Sequence, residues 1–287
     1  MKGGGTVTHR DFDAGNGLVL HIEESGEGPP LVLLHGFTGS TATWSPFRSR
    51  LDADYRVIAV DHPGHGRSSA PSNPDRYRLA RFSDDLVRLI DYLSVDRVAL
   101  VAYSFGGRAA LRFAIHNADR VAALVLESTT PGIQDSAQRI DRRAYDASLA
   151  RDIERDGIEG FVDRWEKLGL WDSQRRLPEA VRAGLRAQRL PNNTGGLANS
   201  LRGAGSGEDD PVLDEAAGIA APVLVIAGAL DSKYVELGRM LIRSIPGSRL
   251  RVVENAGHAV HLENPDVFTA LITEFLSAIP SAEGRWT

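Results

Sequence analysis

The sequence predicts an α/β fold whose central sheet is mostly parallel and carries helices on both faces. Short, continuously apolar runs such as residues 98–102 are typical of strands that are buried on both sides. Stretches with helical apolar spacing alternate with those runs, which is the order expected of a parallel sheet. Polar and small residues follow several of the runs, where the carboxyl ends of parallel strands place functional groups.

Composition limits the class of protein. The chain has 287 residues, of which 42% are hydrophobic and 25% charged, enough for one large domain or for a domain with an insertion. A net charge of −5 gives no indication of nucleic-acid binding, and the absence of cysteine excludes disulfides and thiolate metal sites. The Gly-rich residues 1–5, which we expect to be flexible, precede no apolar signal region, and no apolar run is long enough to span a membrane. We therefore expect a cytoplasmic protein that is a monomer or a small homo-oligomer.

The first part of the chain alternates strands with helices. One helix is predicted over residues 82–93, because apolar side chains recur there at helical spacing. A second helix is predicted over 108–114, where one face is apolar. Apolar runs predict the strands, at residues 18–23, 31–34, 56–60, 98–102 and 121–126.

The pattern changes between residues 131 and 207. This segment lacks apolar strand-like runs and is rich in Arg, Asp and Glu at helical spacing, so we interpret it as a helical lid. It would end in a hinge-like loop at residues 203–207. The core is then residues 1–130 and 208–287, where the pattern resumes with predicted strands at 222–227 and 250–253 and predicted helices at 235–245 and 266–275.

Ser104 lies between a predicted strand and a predicted helix. Small residues stand two positions before and two positions after it, at Ala102 and Gly106. A sharp strand-to-helix turn that exposes a nucleophilic serine needs such neighbours, because the two backbones approach closely. Ala102 stands where glycine is usual and meets the same steric requirement. The sequence therefore predicts Ser104 as the nucleophile or base.

A serine hydroxyl becomes reactive when an imidazole accepts its proton and a carboxylate orients that imidazole. Asp231 and His258 each follow a predicted strand, and the chain order Ser, Asp, His is that of one known triad arrangement. The alternative for Asp231 is that it only caps the next helix. Glu127 is a competing acid at a strand end, which we interpret as structural, and His261 is expected to pack or cap locally.

Two further groups near strand ends bear on the chemistry. The backbone amides of Phe37 and Phe105 are the expected donors to a developing oxyanion. His62 and His65 lie in a Pro-Gly-His-Gly setting typical of a tight turn, and no carboxylate completes a ligand set. We therefore expect no metal and no cofactor.

Arg108 opposes a local rule, since the first turn of a helix favours anions over cations. It follows Ser104 by four residues and so lies near it on the same helix face. We interpret Arg108 as a ligand for a substrate carboxylate. The alternative is a structural ion pair with Glu127 or with an aspartate.

From about residue 18 to residue 275 the chain resembles the α/β-hydrolase superfamily. Within that superfamily it is most similar to the 2-succinyl-6-hydroxy-2,4-cyclohexadiene-1-carboxylate synthases of the menaquinone pathway. The resemblance implies a lid inserted between the sixth and seventh strands. It is carried by these segments: LLHGFTG (33–39), YSFGGR (103–108), LESTTPGI (126–133), FVDRWE (161–166), QRLPNN (188–193), GLANSLRG (196–203) and LDSKY (230–234).

The family's reaction is an elimination that removes a proton next to a ketone and expels pyruvate. The resemblance implies that Ser104, with His258 and Asp231, is the base for a small, multiply anionic substrate. Ala102 and the Gly-Leu-Trp sequence at 169–171 depart slightly from the family pattern and bear on substrate fit. The implied substrate-binding residues are Arg108, Tyr103, Gln134, Arg139, Trp165, Arg189 and Lys233, and for Arg139 and Arg189 a solvated helix face is the alternative.

Two other functions use the same residues. A carboxylesterase or C–C bond hydrolase would use the triad with water. A non-catalytic ligand receptor could have the same fold. A hydrolase would be active on simple activated esters, and Arg108→Ala would not change its activity on a neutral substrate.

Overall fold

The structure, a computed structural model, describes residues 6–279, so the expectation for residues 1–5 lies outside the described residues. Eight strands form one sheet in the order β1-β2-β4-β3-β5-β6-β7-β8. β2 pairs antiparallel with β1 on one side and with β4 on the other, and all the other pairs are parallel. The mostly parallel sheet is thus confirmed. The strands are β1 (Thr8–Gly15), β2 (Leu18–Ser25), β3 (Pro30–Leu34), β4 (Arg56–Val60), β5 (Val98–Tyr103), β6 (Val121–Glu127), β7 (Val223–Gly228) and β8 (Arg249–Val253).

Helices cover both faces of this sheet, as predicted. Side chains of α2, α3 and α7 pack with one face, and side chains of α1 and α9 pack with the other. The central strands β3, β5, β6 and β7 are buried along their whole length, which explains their continuously apolar sequences. With the short α8, the helices of the core are α1 (Ser45–Leu51), α2 (Leu79–Tyr92), α3 (Phe105–His116), α7 (Ser232–Ser244), α8 (Val260–Glu263) and α9 (Pro265–Ser277).

Strand β1 was not predicted from the sequence, and neither were the short helices at Ser45–Leu51 and Val260–Glu263. β1 pairs only with β2, at the edge of the sheet, and just two of its eight residues, Phe12 and Ala14, are buried. An edge strand with one solvated face needs few apolar residues. The sequence THRDFDAG therefore lacks the apolar run on which the prediction relied.

The chain between β6 and β7 is helical, which agrees with the predicted insertion. It contains α4 (Ser136–Trp165), a 3-10 helix (Gly169–Arg176), α5 (Glu179–Arg189) and α6 (Thr194–Ala204). α4 is interrupted at Gly157, whose φ of 69° lies in the left-handed region that favours glycine. α4 and α6 pack together through a small apolar cluster that includes Phe161, Val162 and Leu197.

The predicted hinge-like loop at 203–207 is wrong for its first two residues. Gly203 and Ala204 belong to α6, because α6 packs on α4 and continues up to the glycine at 205. Gly207 lies close against α4, where an added Cβ would be 2.4 Å from the Arg143 backbone nitrogen. The loop is therefore packed against its neighbours. Within residues 6–279, no helix combines the length and the apolar character needed to cross a membrane.

Candidate active site

Ser104 occupies a strained turn between β5 and α3. Its φ of 51° and ψ of −106° are unusual for a residue other than glycine, and such strain is typical of a nucleophile at a strand-to-helix turn. Gly106 is required there, since an added Cβ would lie 2.4 Å from the Leu34 carbonyl oxygen. The close approach predicted for this turn is thus present.

The three residues expected to form a triad lie in hydrogen-bond contact. Ser104 Oγ is 3.0 Å from His258 Nε2, and His258 Nδ1 is 2.8 Å from Asp231 Oδ2. Asp231 follows β7 and His258 follows β8, so parallel strands bring both side chains to one edge of the sheet. With the imidazole 2% exposed, this arrangement can move a proton from the serine hydroxyl to Nε2.

Asp231 also caps α7, because its side chain accepts the amide of Tyr234 at 3.4 Å. The two interpretations of this aspartate are therefore compatible, since one carboxylate oxygen contacts His258 and the other caps the helix.

Glu127 is engaged away from the triad. Its side chain is fully buried, and Oε2 lies 2.8 Å from His261 Nδ1 while Oε1 accepts the His261 amide at 2.9 Å. The His261 ring packs against Tyr103 and Phe47. Glu127 and His261 thus form a buried pair below the site, in line with the structural roles expected of both.

A cavity of about 300 Å³ opens beside Ser104. Phe37 and Phe105 line it together with the serine. Within residues 6–279, neither of their backbone amides donates to a protein acceptor, so both are available to an oxyanion. Tyr103, Trp165 and Lys233 also line this cavity, where the sequence analysis expected them.

Arg108 lines the same cavity and is 8% exposed. Its Nη2 lies 2.7 Å from Asp209 Oδ2 and donates to the carbonyl of Ala204 at 2.8 Å, while Nη1 donates to Ser206 Oγ at 3.2 Å. The ion pair with an aspartate, which was the alternative interpretation, is therefore present. Glu127, the other partner considered for Arg108, pairs with His261 instead.

Gln134 and Arg139, which the resemblance implies as substrate-binding residues, do not line this cavity. Gln134 is exposed, and Arg139 donates to the carbonyls of Ile133 and Gln134 at the start of α4. Arg142, one helical turn further on, lines the cavity and pairs with Asp146 at 2.8 Å. Arg142 could not be singled out from the sequence, because α4 carries charges on several faces and the spacing does not show which arginine points inward.

Arg189 lies in a neighbouring cavity of about 330 Å³, which shares Phe37, Tyr103 and Trp171 with the first. The guanidinium is 5.5 Å from the centre of the Trp171 ring and 3.1 Å from Glu166 Oε1. Burial lowers the pKa of Arg189, and Glu166 opposes that shift. Arg189 is therefore a buried, paired cation next to the triad cavity, and it does not line that cavity itself.

A buried histidine cluster lies behind the oxyanion residues. His62 packs edge-on against Phe105, and the His65 ring is stacked with Phe105 at 5.8 Å. Burial lowers the pKa of His65 to about 4 and holds those of His35 and His62 well below the usual range. Neutral imidazoles that accept and donate hydrogen bonds locally fit the turn interpretation. Within the described residues, side chains close enough together to share an ion are His9, His21 and Glu23, on β1 and β2.

The fold and the triad geometry define an enzyme of the α/β-hydrolase class, and the α/β-hydrolase fold family model matches residues 29–265. The chain belongs to that family and, within it, to the 2-succinyl-6-hydroxy-2,4-cyclohexadiene-1-carboxylate synthases.

Three comparisons support this assignment. A Bacillus subtilis (strain 168) protein, provisionally assigned as that synthase, is 43% identical over 88% of this chain and 93% of its own. The Serratia proteamaculans (strain 568) synthase is 30% identical over 90% of this chain and 98% of its own. The structure of MenH from S. aureus superposes with a TM-score of 0.84 at 34% identity, covering 87% of this chain and 93% of that one.

One structurally similar enzyme is named for a different activity. The enol-lactonase from Burkholderia xenovorans LB400 is 28% identical with a TM-score of 0.79, covering 94% of this chain and all of that one.

Proposed function

We propose that this chain is a lyase of the menaquinone pathway. It converts 2-succinyl-5-enolpyruvyl-6-hydroxy-3-cyclohexene-1-carboxylate into 2-succinyl-6-hydroxy-2,4-cyclohexadiene-1-carboxylate and pyruvate. The observation that carries the proposal is the hydrogen-bonded Ser104–His258–Asp231 arrangement at a cavity that Arg108, Arg142 and Lys233 also line. The relatives named for the same synthase support it.

The triad supplies the base for the elimination. Ser104 Oγ gives its proton to His258 Nε2, and Asp231 stabilises the imidazolium through Nδ1. The serine oxygen then takes the proton from the carbon next to the succinyl ketone. Electrons from that C–H bond form the enolate. Its collapse forms one ring double bond, shifts the existing one along the ring and breaks the bond to the enolpyruvyl oxygen. The leaving group departs as the enolate of pyruvate, and its methylene carbon takes up the proton that His258 Nε2 received, which gives pyruvate and restores the triad.

The amides of Phe37 and Phe105 would stabilise the enolate. They line the cavity beside Ser104 and are free of protein acceptors in the described chain. Donors fixed before the reaction stabilise developing charge without reorganisation, and losing one typically costs about 10²–10³ in rate. This step explains why an enzyme with a hydrolase fold can catalyse an elimination.

The cations of the cavity would select the anionic substrate. Arg108 and Arg142 present guanidinium groups, which match carboxylates in two-point hydrogen bonding. Lys233 is exposed and lies at the same cavity. A substrate with three carboxylates would form ion pairs with several such cations. We propose that Tyr103 and Trp165 pack against the substrate ring. Arg189 would be a further cation for a substrate group that extends beyond Trp171 into the neighbouring cavity.

Ester hydrolysis is the second candidate, because the same triad with water would perform it and the enol-lactonase is a structural relative. The test is to supply the enolpyruvyl cyclohexene acid and, separately, a neutral activated ester. The lyase proposal expects pyruvate and diene absorbance to appear together at equal amounts from the acid, with the ester a poor substrate. Rapid ester hydrolysis with no pyruvate from the acid would overturn the proposal.

A further inference from the structure

Glu263, at the end of α8, holds the backbone on both sides of His258. Its Oε2 accepts the amide of Gly257 at 2.9 Å, and its Oε1 accepts the amide of Ala259 at 3.4 Å. The side chain of Glu263 has no exposed surface. Since the two amides flank His258, one carboxylate restrains the peptide units that orient the imidazole. The elimination does not use this carboxylate.

A cation from the inserted helical segment completes the contact. Arg176 Nη2 lies 3.3 Å from Glu263 Oε2 and also donates to the carbonyl of Asn255. A buried carboxylate without a cation is costly, because it has lost its hydration. Arg176 is 46% exposed on its side chain, so it reaches the buried group from the surface.

The 3-10 helix that carries Arg176 contacts the histidine loop, residues 255–259, at two further points. The Trp171 ring lies 5.5 Å from the His258 ring, edge to face. An added Cβ on Gly257 would be 2.0 Å from Ser173 Oγ, so only glycine permits this approach. The inserted segment is therefore packed directly on the loop that holds the imidazole.

We propose that Glu263 is a positioning residue that sets His258 against Ser104, and that Arg176 couples this position to the packing of the 169–176 segment. When the segment lies on the loop, Arg176 neutralises Glu263 and both amide contacts hold. When Arg176 is lost, the weaker contact at 3.4 Å is expected to open first. The proposal rests on the triad role given above but not on the identity of the substrate.

The first test measures the rate at which Ser104 is labelled, which depends on its geometry with His258 and does not need the natural substrate. An organofluorophosphonate forms a P–O bond to Ser104 Oγ, fluoride leaves, and the serine proton passes to His258. We expect Glu263→Gln to slow this labelling about 10-fold and Arg176→Ala to slow it severalfold, since small misplacements of a catalytic group are costly. Arg175→Ala is the matched control, because Arg175 is a neighbouring surface residue paired with Asp172. It should label at the wild-type rate.

The second test separates positioning from general stability. We expect Glu263→Gln to lower kcat for the elimination while KM and the melting temperature stay near wild type. The double variant Arg176→Ala/Glu263→Gln should label no more slowly than Glu263→Gln, because both act through one contact. Should Glu263→Gln fail to fold, the exposed Arg176 and Arg175 variants still decide the question.

Wild-type labelling rates in both Glu263→Gln and Arg176→Ala would overturn the proposal, and so would equal slowing by Arg175→Ala and Arg176→Ala. A wild-type protein that labels at Ser104 but releases no pyruvate would refute the proposed lyase function alone. The labelling comparison would still test the role of Glu263.

Discussion

Arg108 Nη2 lies 2.7 Å from Asp209 Oδ2, so the arginine that follows the nucleophile by one helical turn is paired before any substrate arrives. Arg108 also donates to the carbonyls of Ala204 and Gly205, which ties α3 to the end of α6. A substrate carboxylate must therefore bind beside Asp209 or displace it. Because of this contact, we expect substitutions of Arg108 and of Asp209 to change KM for the acid in opposite directions.

Arg108→Ala should raise KM for the enolpyruvyl acid about 10- to 100-fold, the scale of one lost charge-assisted hydrogen bond. Turnover of a neutral ester should change little. Arg112→Ala is the control, since Arg112 lies on the same helix, 3.9 Å from Asp209, outside the cavity lining. Steady-state kinetics gives KM and kcat for both substrates. An equal loss of kcat/KM on the acid and on the ester would refute a role of Arg108 in carboxylate binding.

Asp209→Asn should lower KM for the acid severalfold, because it removes the carboxylate that competes with the substrate for Arg108. The folded fraction must be checked by thermal unfolding, as the pair also joins two parts of the chain. A rise in KM with an unchanged melting temperature would show that Asp209 helps to hold Arg108 in its binding position.

Asp231→Asn should lower kcat by about 10⁴, because an amide favours the wrong imidazole tautomer. Glu127→Gln is a useful comparison, since Glu127 is a buried carboxylate at the end of a neighbouring strand that contacts His261. It should lower the melting temperature more than kcat. If Glu127→Gln abolished activity and Asp231→Asn did not, the acid of the triad would be Glu127.

Acid should destabilise the protein through its buried histidines. Burial lowers the pKa of His65 from 6.5 to about 4, so the unfolded chain binds the proton first and stability is lost as the pH falls from 6.5 towards 4. For His65 this amounts to about 2 kcal/mol between pH 7 and 4.5. His35 and His62 act in the same direction, because their pKa values are also held low by burial.

Two buried carboxyls, Asp61 and Asp85, act against this trend, because burial raises the pKa of each. Burial raises the pKa of Asp61 from 3.8 to about 6, so its contribution is present at low pH and is lost as the pH rises through 6. The three histidines outweigh the two aspartates, and we expect a net loss of a few kcal/mol in the free energy of unfolding from pH 7 to 4.5. Urea unfolding at both pH values measures it, with the exposed His116→Gln as a control that should not alter the difference. A greater stability at pH 4.5 would contradict the account.

Much of the core could be predicted because burial leaves a clear pattern in the sequence. β5 and β6 are apolar throughout since both of their faces are covered, and Ser104, Asp231 and His258 follow strands that end at one edge of the sheet. β1 could not be predicted, because an edge strand needs only two buried side chains. Local pattern was thus sufficient where both faces of an element are buried.

The sequence predicts helices in the inserted segment, but it does not show which face of each helix is turned towards the cavity. Arg139 and Arg142 are one turn apart on α4, and only Arg142 lines the cavity. The direction of each side chain depends on how α4 packs against α6, which is a tertiary effect. Glu263 was overlooked for a similar reason, since its contacts with the amides beside His258 arise from the turn into α8.

The central claim is that Ser104 removes the proton that starts the elimination. The most direct measurement is the rate of pyruvate release from the enolpyruvyl cyclohexene acid by wild type and by Ser104→Ala, with diene absorbance recorded in the same cuvette. We expect wild type to release pyruvate and diene one for one, and Ser104→Ala to be slower by about 10³ or more at an unchanged melting temperature. Equal release by the two proteins would contradict the account.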